Sequence, residues 1–396
     1  MNNWTTCKIS DVCSSVSDTY KGTDEYVVLV NTSDVLEGKI LNHTPTENKN
    51  LKGQFKKTFR KNDILYSEIR PANKRFAFVD IENTGNYIAS TKLMVLRCDE
   101  TKVLPKFLFS LLKSSYIINE LQLLAETRSG TFPQITFSGE LGPMEINLPD
   151  FNTQKKIVSI LDSIENKIEL NNEINSNLEQ QMQAIFVNMF GESIDALSEC
   201  DTTLSDLVES VDNRGKTPPL SPDITNYPII DVRALSGSSR IIDYNNCSKF
   251  VDEETYNNWF RSGHPQPYDI LISTVGSLAE MKIFLGTVGC IAQNVVGFRC
   301  KQVSPLYIYQ YLNYIKNDLV AYNIGSVQPS IKVTHIIKHH IFLPDKSEID
   351  KFDAIAREMT NQIYANCKEI KNLTQLRDTL LPKLMSGEID LSNIDI

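Results

Sequence analysis

Long apolar runs and paired cysteines are both missing from this chain of 396 residues. No run of 18 apolar residues occurs, so no transmembrane helix is expected. The first residues carry no apolar stretch behind a basic one, so a secretory signal is not expected either. The eight cysteines never form a Cys-x-x-Cys pair, which excludes a zinc ribbon and predicts reduced thiols in a cytoplasmic protein.

Sequence motifs for catalysis are also scarce. The chain has no Gly-x-x-x-x-Gly-Lys-Ser/Thr loop and no Asn/Asp-Pro-Pro-Tyr/Phe segment of the kind that grips a flipped base in amino-methyltransferases. Asp63 and Glu68 faintly resemble a metal-dependent nuclease core, but the repeat described below has Thr274 in place of the glutamate. His335 and His339 lie in a β-branched run, where their spacing forms no metal clamp. We therefore predict no catalytic residue, no metal site and no cofactor bound by this chain.

The composition is that of a globular chain, with 41% hydrophobic and 22% charged residues, and the length suggests two domains. The net charge of −9 argues against a protein that coats nucleic acid nonspecifically. The charge is 0 over residues 1–150, −4 over 151–195, −3 over 196–345 and −2 over 346–396. The two short segments hold two thirds of the excess negative charge, so we expect them to differ in structure from the two long ones.

The sequence contains an internal repeat. The matching segments are ISDV at 9–12 with LSDL at 204–207, DIL at 63–65 with DIL at 269–271, RC at 97–98 with RC at 299–300, and LPD at 148–150 with LPD at 343–345. The offset drifts from 195 to 206 and returns to 195, as compensating loop insertions would produce. Each half therefore consists of a long body, which we call body 1 (residues 1–150) and body 2 (residues 193–345), followed by a short segment.

Seam residues recur on a seven-residue repeat in both short segments. The first seam contains Ile157, Leu161, Ile164, Ile168, Asn171, Asn175, Leu178, Met182, Ile185 and Met189, and the second contains Phe352, Ala356, Met359, Ile363, Asn366, Ile370, Leu373, Arg377, Leu380 and Leu384. A narrow stripe with a period of 3.5 predicts coiled-coil helices of about 35 residues, or roughly 50 Å. We favour pairing of the two helices with each other because their seams match in length and phase; binding to other chains is the alternative. Asn171 and Asn366, near the helix centres, are predicted to lie close together and fix the register, although parallel pairing would also align them.

These patterns predict an α+β fold: two pseudo-repeated mixed α/β domains joined by two long helices that form an antiparallel coiled coil. Apolar runs predict strands at residues 26–30, 76–81, 92–97, 229–232 and 295–299, and helices at 106–115 and 305–316. The predicted domains are residues 1–150, 151–192, 193–345 and 346–396.

Thirteen residues of body 1 contain six cations, two aromatic residues and no acid: Lys49, Lys52, Lys56, Lys57, Arg60 and Lys61, with Phe55 and Phe59. Such a segment can neutralise DNA phosphates while its aromatic residues anchor it to the domain. A solvated loop without a ligand is the alternative. If all six cations contact phosphate, they contribute about −5 to the slope of log K against log salt.

Three further sets of residues suggest contacts with nucleic acid. Arg214 and Lys216 lie near the start of body 2. Two glycine turns match each other between the bodies, and each carries a hydroxyl and a glutamine at corresponding places: Thr131 with Gln134, and Ser326 with Gln328. Glycine frees the turn, the hydroxyl suits a phosphate, and glutamine can pair bidentately with adenine.

Taken together, these features resemble the specificity subunits of type I restriction–modification systems. The segment LRDTLLPKLMSGEI (376–389) looks like that family's final helix, and NTQKKIV (152–158) followed by Leu161 and Asp162 looks like the start of its central helix. The segment RGKTPP (214–219) and the glycine–glutamine turns are also similar to the family. The resemblance covers the whole chain, strongly in the helices and loosely in the bodies.

The resemblance implies that each body is a target-recognition domain and that the helix pair is a spacer. The chain would then recognise two different half-sites in double-stranded DNA, separated by unread base pairs, near one DNA turn of about 34–36 Å. It also implies two methyltransferase (modification) subunits acting on adenine and restriction/translocase subunits as partners, which would bind S-adenosylmethionine, ATP and Mg²⁺. Arg377 in the second seam and Pro382 near its end are departures, and Pro382 is expected to kink the helix.

Two functions of other classes are alternatives to DNA recognition. One is a coiled-coil scaffold that joins proteins and never binds DNA. The other is a self-contained nuclease that uses Asp63 and Glu68.

Overall fold

The computed structural model describes residues 4–49, 51, 53–128, 132–196 and 201–391, and its contacts divide the chain into two units. Unit 1 comprises residues 1–166 and 373–396, and unit 2 comprises residues 167–372. Body 1 lies in unit 1 and body 2 lies in unit 2. Each unit also contains the beginning of one long helix and the end of the other.

Body 1 is built mainly of short strands. The strands are β1 (Thr5–Lys8), β2 (Cys13–Val16), β3 (Tyr26–Val30), β4 (Val35–Leu36), β5 (Lys39–Ile40), β6 (Pro45–Glu47), β7 (Phe55–Lys57), β8 (Ile64–Ser67), β9 (Phe76–Phe78), β10 (Tyr87–Ser90), β11 (Leu93–Cys98) and β12 (Glu145–Leu148). The helices are α1 (Ile9–Val12), α2 (Pro105–Leu112) and α3 (Ser115–Arg128). One sheet has the antiparallel order β2-β11-β8-β9, and a second has the order β6-β3-β10-β7 with β3 and β10 parallel.

The first long helix follows body 1 directly. It is α4 (Phe151–Phe186), which continues through a π-helical turn (Val187–Gly191) into α5 (Glu192–Asp195). Body 2 follows, with strands β13 (Val208–Val211), β14 (Tyr227–Pro228), β15 (Phe250–Val251), β16 (Ile270–Ser273), β17 (Met281–Ile283) and β18 (Val295–Cys300). Its helices are α6 (Leu204–Leu207), α7 (Glu253–Asn258), α8 (Pro305–Tyr314), α9 (Lys316–Ala321) and α10 (Val333–Ile337).

The internal repeat is a structural repeat. The antiparallel sheet β13-β18-β16-β17 of body 2 has the same order as β2-β11-β8-β9 of body 1. Asp63 pairs with Arg97 at 2.7 Å in body 1, and Asp269 pairs with Arg299 at 2.7 Å in body 2. Both aspartates are buried and also accept a hydrogen bond from the backbone N–H three residues earlier. The sequence match at these positions therefore reflects the same ion pair, formed twice, between a buried aspartate and a partly exposed arginine.

Two local predictions for the bodies are wrong. Residues 229–232 form a single parallel bridge, between Ile229 and Cys290, instead of a strand. The reason is Asp231, whose side chain accepts a hydrogen bond from the Arg233 N–H and starts a 3-10 turn. The β-branched run at 331–334 indicates an extended segment around His335, but Val333 and Thr334 begin the helix α10.

The second long helix, α11 (Lys346–Ser386), lies antiparallel to α4. Within unit 2, the Phe186 ring packs on Phe352 with 5.5 Å between centroids, and Lys167 Nζ lies 3.7 Å from Glu369 Oε2. Residue numbers therefore rise along one helix as they fall along the other. The predicted antiparallel pairing and the α+β fold are confirmed.

Within unit 1, the start of α4 and the end of α11 share one core with body 1. Ile157 and Leu161 are buried with Leu381 and Leu384 in the cluster that also holds the apolar residues of α2. The helix α11 continues through Pro382 and ends at Ser386, so the proline does not end the helix. Burial of the leucines on either side of the proline holds this last turn in place.

A buried arginine fastens body 2 to both long helices in unit 2. The Arg240 side chain has no exposed surface and pairs with Glu179 of α4 at 2.7 Å. It also donates to the Thr360 hydroxyl of α11 at 3.0 Å. Because a guanidinium forms several directed hydrogen bonds at once, this residue fixes body 2 to the helix pair. Among the described residues, no helix has the length and apolarity needed to cross a membrane.

Candidate nucleic-acid interface

The basic segment of body 1 contains lysines in two different environments. Lys56, in β7, exposes its side chain. Lys57 donates from Nζ to the carbonyl oxygens of Thr91 at 3.0 Å and Leu93 at 2.8 Å, and burial lowers its pKa. Lys57 therefore ties β7 to the start of β11, while Lys56 is available to a phosphate.

Two other lysines of the segment are paired with acids. Lys61 hydrogen bonds Glu82, which raises the pKa of Lys61, and its Nζ lies 3.8 Å from Asp80. Lys49 lies 3.4 Å from Glu47. Both pairs are exposed to solvent, where such contacts contribute little to stability.

The described residues of the basic segment do not form one compact patch. Lys57 contacts the start of β11, whose Leu93 is paired with Ser67 at the end of β8. Arg60 is exposed and precedes the other end of β8. The predicted residue Lys52 lies outside the described residues. Lys57 and Arg60 thus lie towards opposite ends of β8.

Three loops of body 1 meet at the end of β8. The Glu68 N–H donates to the Lys92 carbonyl at 3.0 Å, and the Ile135 N–H donates to the Glu68 carbonyl at 2.8 Å. The Arg70 N–H donates to the Pro133 carbonyl at 3.2 Å. We define the loop edge of body 1 as residues 67–70, 91–92 and 132–135.

Polar side chains line this loop edge. Lys92 Nζ donates to Gln134 Oε1 at 3.1 Å and lies 3.4 Å from Glu68 Oε2. Arg70 is exposed, with a left-handed backbone at φ 45°. The predicted residue Gln134 therefore lies at the loop edge, whereas Thr131 lies outside the described residues.

Body 2 repeats the same three backbone contacts. The Thr274 N–H donates to the Asn294 carbonyl at 2.8 Å, and the Ile331 N–H donates to the Thr274 carbonyl at 2.8 Å. The Gly276 N–H donates to the Pro329 carbonyl at 3.0 Å. We define the loop edge of body 2 as residues 273–276, 293–294 and 328–331.

These contacts correct the alignment of the two glycine turns. Pro133 and Pro329 occupy equivalent places, so Gln134 corresponds to Ser330 and Gln328 precedes the proline. The expectation that Gln134 and Gln328 are equivalent is wrong, because body 2 has one additional residue between the turn glycine and the proline.

A cleft of about 240 Å³ lies at the loop edge of body 2. Its lining includes Thr217, Gln293 and Gln328, with Arg233 and Lys249. The Gln293 side-chain amide donates to the Thr217 hydroxyl. Two candidates that are far apart in sequence, the RGKTPP segment and the second glycine turn, are therefore brought to one place.

The remaining predicted residues of body 2 differ in whether they are paired with an acid or exposed to solvent. Arg214 donates to both carboxylate oxygens of Asp212, at 2.9 and 2.7 Å. Burial disfavours the charged form of Asp212, but the bonds from Arg214 outweigh it and lower the pKa of this carboxyl. Lys216 and Ser326 are exposed.

The geometry gives no support to a nuclease centre at Asp63 and Glu68. The Asp63 carboxylate is occupied by Arg97 and a backbone N–H, and Glu68 lies beside Lys92. Among the described residues, no group of three or more His, Cys, Asp or Glu side chains is arranged to hold a metal ion.

A family model for the type I restriction modification DNA specificity domain matches residues 1–180. The type I restriction enzyme HindI specificity subunit of Haemophilus influenzae is 31% identical over 467 aligned residues, which cover 98% of this chain and 100% of that protein. The chain belongs to the type I specificity subunits. The resemblance inferred from its sequence is confirmed. The alternative of a coiled-coil scaffold that never binds DNA is not favoured.

Other specificity subunits agree with this assignment. The type I restriction enzyme MjaIX specificity subunit of Methanocaldococcus jannaschii is 23% identical over 323 residues, covering 74% of this chain and 71% of that one. The crystal structure of the type I restriction–modification S subunit from M. genitalium matches with a TM-score of 0.55 at 16% identity, covering 97% and 96% of the two chains. This match shows a shared fold.

Sequence reasoning missed several residues at the loop edges of this specificity subunit. Lys92 begins the strand predicted at 92–97 and Asn294 precedes the strand predicted at 295–299, so the patterns give neither residue a role in binding. In the fold, each residue precedes a long central strand of its sheet. Arg70 and Gln293 have left-handed backbones, which single-sequence patterns do not reveal. The one available signal was the repeat itself, because Lys92 and Asn294 lie just before the matched Arg-Cys strands.

The asparagines of the helix seam lie in neighbouring layers. Asn366 donates to Asn175 Oδ1 at 2.8 Å, and Asn171 donates to Glu369 Oε2 at 2.8 Å. Asn171 and Asn366 therefore do not bond each other directly. Each amide takes a different partner within unit 2, one helical turn apart.

Proposed function

We propose that this specificity subunit reads a bipartite, asymmetric DNA sequence, with one half-site read by each body. Membership of the type I specificity subunits supports DNA recognition as the role of the chain. The observation that carries the bipartite, asymmetric part is the loop edge, whose backbone contacts occur in both bodies with different side chains. Because the two loop edges share a backbone arrangement but carry different side chains, they suit two different half-sites.

Different residues serve different parts of this recognition. Side chains of the two loop edges, with Gln134 and Gln328 among them, contact base edges in the grooves. Exposed cations such as Lys56, Arg60 and Lys216 contact phosphates, which positions the protein without selecting sequence. Asn171 and Asn366 hold the register of the long helices.

The catalytic steps belong to partner subunits. In this proposal two modification subunits methylate adenine with S-adenosylmethionine, and restriction subunits use ATP and Mg²⁺. The specificity subunit contributes recognition and the placement of these partners on DNA in the cytoplasm. Its own residues bind and orient the DNA and perform no bond-breaking step.

The test is the methylation pattern of host DNA. Methylated adenines are mapped by long-read sequencing in cells that contain the modification subunits, with and without this chain. We expect a bipartite motif that disappears when the chain is removed. Unchanged methylation without the chain, or a motif with no unread gap, would contradict the proposal.

A further inference from the structure

The two loop edges differ in chemistry at equivalent backbone positions. The shared hydrogen bonds identify three pairs of equivalent residues: Glu68 with Thr274, Arg70 with Gly276, and Lys92 with Asn294. Body 1 thus places three charged side chains where body 2 has none. Because the backbone frame is the same, the difference bears on which bases each body can read.

The loop edge of body 1 offers a guanidinium, an ammonium and a carboxylate. Arg70 is exposed, and the bond from its N–H to Pro133 fixes the backbone from which its side chain projects. Lys92 is held between Glu68 and Gln134 but keeps about half of its side chain exposed, 48%. Arginine and lysine donate to guanine O6 and N7, while glutamate accepts from cytosine N4. The cations at this edge therefore match the guanine, and the carboxylate matches the cytosine, of a G·C pair.

The loop edge of body 2 offers amides. Gln293 is exposed with a left-handed backbone at φ 49°, Asn294 is half-buried beside it, and Gln328 is exposed on the facing turn. All three line the cleft. A side-chain amide presents a donor and an acceptor together, which matches N6 and N7 of adenine and does not match the two acceptors of guanine.

The cations at this cleft are arranged differently from those of body 1. Arg233 donates to the Ser248 hydroxyl and lies 3.6 Å from Asp231, so its charge is partly compensated. Lys249 is exposed. Neither residue belongs to the loop edge, and both are suited to phosphates.

We propose that the body 1 loop edge reads a G·C pair through Arg70, Lys92 and Glu68, and that the body 2 loop edge reads an A·T pair through Asn294 and Gln328. The inference rests on the proposed function, because it assigns base types within the half-sites that the two bodies recognise.

The experiment uses the full chain assembled with its modification subunits. Two double variants, R70A/K92A in body 1 and N294A/Q328A in body 2, are compared with the wild type by mapping methylated adenines. Controls are K102A and K301A, since Lys102 and Lys301 are exposed and lie beyond the opposite ends of strands β11 and β18.

The body 1 variant is expected to lose about tenfold or more of its discrimination at a G·C position in one half-site. The body 2 variant is expected to lose a similar factor at an A·T position in the other half-site. In each case the untouched half-site stays fully specified, which shows that the chain is folded and assembled. N294K, which places the body 1 residue in body 2, should shift the preference at that A·T position towards G·C.

Three outcomes would overturn the inference. The body 1 variant relaxes only A·T positions, or the body 2 variant relaxes only G·C positions, or neither variant relaxes any position. In all three the wild-type complex still methylates a bipartite motif, so the proposed function stands. A wild type with no bipartite motif would overturn both proposals.

Discussion

Two neighbouring lysines, Lys56 and Lys57, have different roles: one is exposed to solvent and the other stabilises the fold. Both are lysines of one acid-free segment, and the sequence alone treats them alike. In the fold, Lys57 is satisfied by two carbonyl oxygens while Lys56 points to solvent. Their substitution by methionine, which keeps the apolar part of the side chain, should therefore give opposite results.

K56M should weaken DNA binding by the assembled complex and reduce the slope of log K against log salt by about 0.9, the value for one phosphate contact. K57M should leave the slope unchanged but lower the free energy of unfolding by about 1–3 kcal/mol, because two carbonyl groups lose a charged donor. Salt titrations by fluorescence anisotropy and denaturant unfolding measure the two effects. An equal change of slope in both variants would contradict this assignment.

The repeated ion pair allows a matched test in each body. D63N and D269N each remove the charge of a buried aspartate that faces an arginine, so each should destabilise its own unit by about 3 kcal/mol. Hydrogen exchange of the two units, with each variant serving as the control for the other, measures this. A nuclease centre at Asp63 would instead predict that D63N alone abolishes DNA cutting without loss of stability.

Among the secondary-structure elements, the long helices were predictable and the short ones less so. A seven-residue repeat extends over many turns, so local errors average out and both the helices and their pairing follow from it. The strand expected at 229–232 failed because a single side chain, Asp231, redirected the backbone. The match of Gln134 with Gln328 failed because one inserted residue cannot be located in a loop without the hydrogen bonds of Pro133 and Pro329.

The layer formed by Asn175 and Asn366 in the helix pair allows its effect on stability to be measured apart from its effect on register. Asn175 and Asn366 are hydrogen bonded and buried in unit 2. N366A should lower the free energy of unfolding by about 1–3 kcal/mol, since it leaves the Asn175 amide without this partner. The double variant N175L/N366L should recover that loss, because an apolar layer replaces both amides.

A double-mutant cycle in denaturant, with N175L and N366L as the single variants, measures the coupling. The restored stability of the double variant should be accompanied by weaker discrimination between half-site spacings, because the register is then less strongly specified. A double variant as unstable as the sum of its single changes would show that this layer does not act as a pair.

For the molecule as a whole, the overall charge opposes binding to DNA. The chain carries −9, and the excess negative charge lies outside body 1. The isolated chain should therefore bind its target no more tightly than micromolar at about 150 mM salt, in the range of nonspecific complexes. With modification subunits the affinity should reach the nanomolar range typical of specific complexes. Anisotropy titrations of the same DNA with and without these subunits measure the difference, and equal affinity would contradict it.

The mixed composition of unit 1 has a consequence for biosynthesis. Leu381, Leu384 and Leu391 complete the core that begins with Ile9 and includes Leu161. About 230 residues separate Leu161 from Leu391, so at 5–20 residues per second a ribosome needs roughly 10–50 s to supply them. The body that is translated first is thus the one that matures last, and its unfinished apolar surface is exposed to chaperones and proteases throughout that delay.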